Sequence, residues 1–262
     1  MKLSIVLSTH AAQFEAVAFK GDFEDNVAKI ADWGYDGVEL AVRDPTLVNG
    51  GELEHVVSSK GLEVPAIGTG QAWGEEGLSF TSDDPAVRAA AIERIKSHIP
   101  LAARLDAVII LGLIRGITPE GQRHKRSMDY LIEALQACSE AALAEGVRYA
   151  LEPLNRYETD LIHTVGDGLK LIEDVDFQNF GLLLDTFHMN IEEASIEESI
   201  QVCGDRIFHF HVADSNRRYP GAGHLDFASI LQALYATGYD GYVSGEFMPV
   251  PDADTSARRS IR

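Results

Sequence analysis

Four residues able to bind a metal, Glu152, Asp185, His211 and Glu246, each close a short apolar run and stand 33, 26 and 35 residues apart. Each interval suits one strand–loop–helix unit, so four successive parallel strands would each bring one ligand to a shared rim. The runs end Tyr149-Ala150-Leu151-Glu152, Leu182-Leu183-Leu184-Asp185, His209-Phe210-His211 and Val243-Ser244-Gly245-Glu246. An acid directly after three leucines is costly to bury unless a cation neutralises it. Any one of these residues could be a helix cap or an ion-pair partner. Four strand ends in a row argue for a metal site.

Three carboxylates and one imidazole form a hard to borderline donor set, suited to one divalent ion: Mn²⁺, with Mg²⁺ or Co²⁺ as alternatives. A six-coordinate ion bound mostly through single oxygens would keep about two positions open. A carbonyl oxygen and its neighbouring hydroxyl would fit them, and polarising the carbonyl acidifies the adjacent carbon, an effect worth several kcal/mol. Glu152 and Glu246 come from different strands. Placed on opposite faces of that carbon, they would remove and return its proton, inverting the centre through a cis-enediolate. His209 lies one pleat from His211 on the same side and is expected as a hydrogen-bonded residue beneath it. For His188, three residues beyond Asp185, structural and functional readings stand level.

The elements that must hold these residues follow from apolar runs alternating eight times with helical-period segments. Strands are expected at Leu3–Leu7, Gly37–Val42, Val64–Gly68, Ala107–Leu111, Tyr149–Glu152, Gly181–Asp185, Ile207–His211 and Tyr242–Glu246. Most are Leu-rich or β-branched without strict alternation, as in strands covered on both faces. Amphipathic helices are expected at Asp22–Trp33, Asp84–Arg104, Ser127–Ala144 and Phe227–Thr237. Ser82-Asp83-Asp84-Pro85 and Asp226 supply start signals for two of them. No GxGxxG follows the first strand, so a closed (β/α)8 TIM barrel, an α/β fold, is preferred to an open dinucleotide-binding sheet. The final helix, confined to Asp252–Arg262, is short.

The chain of 262 residues, 45% apolar, has no linker, repeat or low-complexity tract, which predicts a single catalytic domain over residues 1–262. No segment approaches the roughly 20 apolar residues of a membrane span, and the start MKLSIVLSTH does not read as a signal sequence. Cys138 and Cys203 form no metal or redox motif, pointing to the cytoplasm. A formal charge of −19 argues against a nucleic-acid partner.

Three motifs then carry a resemblance: Leu151-Glu152-Pro153-Leu154-Asn155-Arg156-Tyr157-Glu158, Asp185-Thr186-Phe187-His188-Met189-Asn190, and His209-Phe210-His211-Val212-Ala213-Asp214-Ser215-Asn216-Arg217. They resemble the ketose 3-epimerase motifs of the D-tagatose 3-epimerase family, within the xylose-isomerase-like barrels. The likeness covers essentially the whole chain. In the amino-terminal half, Met1–Ser4, Ala18–Asp22, Ala41–Pro45 and Ala66–Ala72 resemble one branch, the 5-keto-L-gluconate epimerases, which interconvert 5-keto-L-gluconate and D-tagaturonate.

The resemblance implies that Glu152, Asp185, His211 and Glu246 bind Mn²⁺ or a similar ion, with Glu152 and Glu246 as the acid–base pair. It implies that Glu158, His188 and Arg217 hold oxygens of a sugar or sugar-acid substrate, and that the chain forms a dimer or tetramer. Leu7-Ser8-Thr9-His10 departs from the family where an aromatic residue is usual, so no apolar contact to the sugar is expected there. A keto-uronate would need a cationic partner, for which Arg43 and Arg115 are candidates; a salt bridge to a neighbouring acid is the competing reading for each. Other reactions on the same barrel would be aldose–ketose isomerisation or keto-sugar dehydration. More remote readings are an abasic-site DNA-repair endonuclease and a non-catalytic sugar-binding barrel.

Overall fold

Apolar runs with little polar alternation need cover on both faces, and a ring of parallel strands wrapped in helices provides it. The computed structural model describes residues 1–11 and 14–261. Its strands are β1 (Lys2–Ser8), β2 (Phe19–Lys20), β3 (Gly37–Ala41), β4 (Ala66–Gly68), β5 (Val108–Leu111), β6 (Tyr149–Leu151), β7 (Phe180–Asp185), β8 (Ile207–Val212) and β9 (Tyr242–Gly245). All pairings are parallel, the order follows the chain from β3 to β9, and β1 pairs with both β3 and β9. The sheet therefore closes into the eight-stranded barrel expected. The ninth strand, β2, was not anticipated; its two residues pair only with the end of β1.

Alternation along each strand divides the core in two. Outward residues such as Leu40, Ile67, Ile109, Leu151, Leu182 and Leu184 join the large cluster beneath the helices. Inside the ring, Ala66, Val108, Ile110, Ala150 and Leu183 form a small separate cluster. Glu152 and Asp185 lie two residues beyond Ala150 and Leu183, so the pleat directs them to the same interior, one level higher. A register shift between Leu182 and Leu183 brings Asp185 level with His211.

Most helices begin where expected. Asp84 caps the helix Pro85–Ser97 by accepting from Ala86 N at 2.8 Å, and Asp226 caps Phe227–Ala236. The single helix expected over Asp84–Arg104 is instead two, Pro85–Ser97 and Ile99–Leu105. The break falls at Pro100, which has no N–H and whose ring opposes the carbonyl four residues back. The last helix is short as expected, Ala253–Ser260; Arg262 lies outside the described residues.

Candidate active site

The residues singled out by spacing converge. Glu152 follows β6, Asp185 ends β7, His211 lies in β8 and Glu246 follows β9. Each offers one ligand atom, and these four atoms lie within 4.8 Å of one another. His211 Nδ1 is 4.0 Å from Glu152 Oε1 and 3.9 Å from Glu246 Oε2. Asp185 spends one oxygen as a helix cap, Oδ1 accepting from Phe187 N at 2.8 Å, and leaves Oδ2 free.

What these atoms lack is more informative than what they touch. Glu152 Oε1, Asp185 Oδ2 and His211 Nδ1 are all buried without a hydrogen-bond partner. Buried polar atoms are nearly always paired, so three orphans aimed at one point describe a place for a cation. Burial, the charge of Glu246 and that of Asp185 push the Glu152 carboxyl well above its usual range. Burial likewise raises Glu246, to about 7. Burial thus works against charge on both glutamates, a cost that a bound divalent ion would offset. The donor set fits such an ion.

Around this point the second group of expected residues assembles. His188 is 1% exposed, with Nε2 at 3.7 Å from Glu152 Oε1 and 4.0 Å from Asp185 Oδ2. Its Nδ1 accepts from Asn155 N (3.2 Å) and faces the Asn155 amide (2.8 Å). That pairing assigns the ring proton to Nε2, and burial keeps the imidazole neutral by pushing its pKa well down. His188 therefore presents one N–H to the cavity. Arg217 donates to Glu158 Oε1 at 3.0 Å and reaches Glu246 Oε2 at 3.4 Å. Its guanidinium lies 4.7 Å from the Phe187 ring centre and 5.2 Å from that of Phe14.

These groups share a cavity of about 300 Å³, which Phe14, Val17, Trp73, Leu113 and Leu154 line on its apolar side. An aromatic wall is thus present after all. It comes from the loop beyond β1 (Phe14) and the helix Gln71–Glu76 (Trp73), not from the end of β1 itself. Gln71 and Glu75, one turn apart on that helix, also line the cavity, and each has a buried carbonyl or carboxylate oxygen without a partner.

The two arginines considered for a substrate carboxylate are occupied. Arg115 is fully buried, donating from Nε to Gly112 O (3.0 Å) and from Nη2 to Leu111 O (3.1 Å) and Glu152 O, with Nη1 towards Leu161 and Ile162 carbonyls. It fastens the ends of β5 and β6 from behind, and burial lowers its pKa to about 10. Its guanidinium does not face the cavity, because backbone carbonyls at the strand ends claim its donors. Arg43 pairs with Glu75 and, at 3.3 Å, with Glu76, as the salt-bridge reading held, though with acids on another element. His209 donates to Glu39 and lies beneath His211, as expected; Glu39 itself was not foreseen.

Comparison with known proteins agrees with the barrel fold. Residues 27–262 match the family described as xylose isomerase-like TIM barrel. The chain belongs to that family. It is 34% identical over 246 residues to an L-ribulose 3-epimerase of Mesorhizobium japonicum, covering 92% of this chain and 80% of that one. A D-psicose 3-epimerase of Agrobacterium fabrum is 32% identical over 228 residues, 84% of this chain and 78% of that one. The solved structure of an L-ribulose 3-epimerase superposes with a TM-score of 0.85 at 30% identity, covering 99% of this chain and 92% of the other. Relatives of this kind are epimerases, and this family member is an enzyme of the isomerase class. Among the described residues no helix is long and apolar enough to cross a membrane.

Proposed function

We propose that the chain is a divalent-cation-dependent ketose 3-epimerase, inverting the carbon beside the ketone by proton transfer between Glu152 and Glu246. The observation that carries this reading is the convergence of unpartnered atoms from Glu152, Asp185 and His211, beside Glu246, at a sugar-sized cavity that Glu152, His211 and Glu246 line. A Mn²⁺ ion held by these four side chains, with Mg²⁺ or Co²⁺ as substitutes, would polarise the substrate carbonyl and so acidify the neighbouring carbon. One glutamate takes that carbon's proton and the other returns a proton to the opposite face. The His188 Nε2–H, Glu158 and the Arg217 guanidinium hold substrate oxygens, with Glu158 also keeping Arg217 in place. The Phe14 and Trp73 walls limit water around the carbanionic carbon.

The remote end of the cavity favours a neutral ketose. Gln71 and Glu75 offer acceptors there, which suit hydroxyl donors, and the charge of Arg43 is already shared with Glu75 and Glu76. A keto-uronate such as 5-keto-L-gluconate or D-tagaturonate is the second reading. His10 Nε2, unpartnered and 3.9 Å from Glu75 Oε1, favours it by offering an N–H donor beside a residue that lines the cavity. A homo-oligomer, dimer or tetramer, belongs to the same proposal and is checked by light scattering. Cytoplasmic residence fits the two free, buried cysteines.

The test is a panel of ketoses and keto-uronates incubated with the Mn²⁺-loaded enzyme in heavy water and followed by NMR. The expected result is one deuteron at the carbon beside the ketone together with inversion there. Label at the terminal carbon would mean an aldose–ketose isomerase, and loss of water a dehydratase. No exchange at that carbon with any substrate overturns the proposal.

A further inference from the structure

Glu39 lies on β3, across the barrel from β8, and is 1% exposed. Its carboxylate reaches 170 residues along the chain to two histidines: Oε2 is 2.8 Å from His209 Nε2 and 2.9 Å from His211 Nε2, and Oε1 is 3.1 Å from His211 Nε2. We infer that Glu39 is a positioning residue for the cation site, holding the His211 ring so that Nδ1 faces Glu152 and Glu246 with its lone pair free. The inference rests on the proposed cation-dependent reading and adds to it the residue that orients the only nitrogen ligand.

A neutral imidazole carries one N–H, and an ionised carboxylate can only accept. Contact with Glu39 therefore assigns the His211 proton to Nε2, and the lone pair falls on Nδ1. That nitrogen is the atom without a partner, 3.9–4.0 Å from the two glutamates. His209 secures the carboxylate by donating to the same oxygen, so both histidines converge on a single anchor. A hydrogen-bonded carboxylate also makes the imidazole a better donor to a metal.

Glu39, His209 and His211 are themselves close enough to hold an ion. Their geometry argues otherwise. Glu39 meets both Nε2 atoms at hydrogen-bond distances, and the orphan of this trio, His211 Nδ1, faces the neighbouring cluster, which holds two more in Glu152 Oε1 and Asp185 Oδ2. The carboxylate is a clamp, and the ion belongs above it.

The test is calorimetric titration of metal-stripped protein with Mn²⁺ for the parent, Glu39→Gln, Glu39→Leu and His209→Gln. Loss of such an outer partner typically weakens metal affinity about 10–100-fold. Glu39→Gln, nearly isosteric, should fall in that range, and Glu39→Leu, which removes the acceptor, should fall further. His209→Gln retains an N–H for Glu39 and should stay within about threefold. In the Mg²⁺-loaded parent, imidazole ¹⁵N NMR should show His211 protonated at Nε2, a signature that Glu39→Leu abolishes. A purely structural role would lower thermal stability and leave both readings unmoved. If Glu39→Leu fails to fold, Glu39→Gln decides. Unchanged Mn²⁺ affinity in Glu39→Gln overturns this inference alone, whereas a parent that binds no Mn²⁺ overturns the proposed function with it.

Discussion

Arg115 shows how residue type and position in the chain can mislead about a role. A guanidinium just past a strand end is well placed to meet a substrate carboxylate, yet this one donates to backbone carbonyls of Leu111, Gly112 and Glu152. Its work is to satisfy strand-end oxygens that would otherwise be buried unpaired. Arg115→Met should therefore lower unfolding free energy by about 3 kcal/mol or more, since each orphaned buried group costs about 1–3 kcal/mol. Urea denaturation measures this, and the ranking of substrates should not change. Glu152, Asp185, His211 and Glu246 were legible because each ends an apolar run at a barrel-like interval. Glu39 was not, because it sits mid-strand and its partners are 170 and 172 residues away. A buried acid inside Gly37-Val38-Glu39-Leu40-Ala41 was the available signal. Phe14 and Trp73 come from a loop and a short helix, where periodicity carries no information about orientation.

At the scale of elements, start signals and strand cores could be read because they depend on local chemistry: a capping carboxylate, a proline at the first turn, a run of branched residues. The Pro100 break was present in the sequence but masked by helical periodicity on both sides. The loop after β5 is a tighter case. Gly116 has φ 87°, and a Cβ there would stand 2.0 Å from Ser79 Oγ and 2.3 Å from Thr81 Oγ1. Its carbonyl accepts from Thr159 Oγ1 at 3.0 Å, which joins this loop to the one carrying Glu158. Backbone at this φ with ψ −164° costs a non-glycine residue about 1–3 kcal/mol before any clash. Gly116→Ala should lower stability by at least about 2 kcal/mol in thermal or urea melts. A melt unchanged within error would mean that the loop has another conformation available.

Across the whole molecule, closure of β1 on β9 brings residues from both ends of the chain to one rim. The ring requires a filled interior, and here the fill changes with height. Ala66, Val108, Ile110, Ala150 and Leu183 form an apolar plug, while Glu39, His209 and the four converging side chains bring charge into the same barrel interior. Helix-covered strands explain why the barrel was readable from alternation alone, whereas loop-borne specificity was not. The proposed epimerisation depends on one cation seated among Glu152, Asp185, His211 and Glu246. Anomalous diffraction from crystals soaked in Mn²⁺ tests this directly. A single peak per chain bonded to those four side chains, with His211 engaged through Nδ1, is the expected result. No peak there, or one lodged between Glu39 and His209 instead, contradicts it.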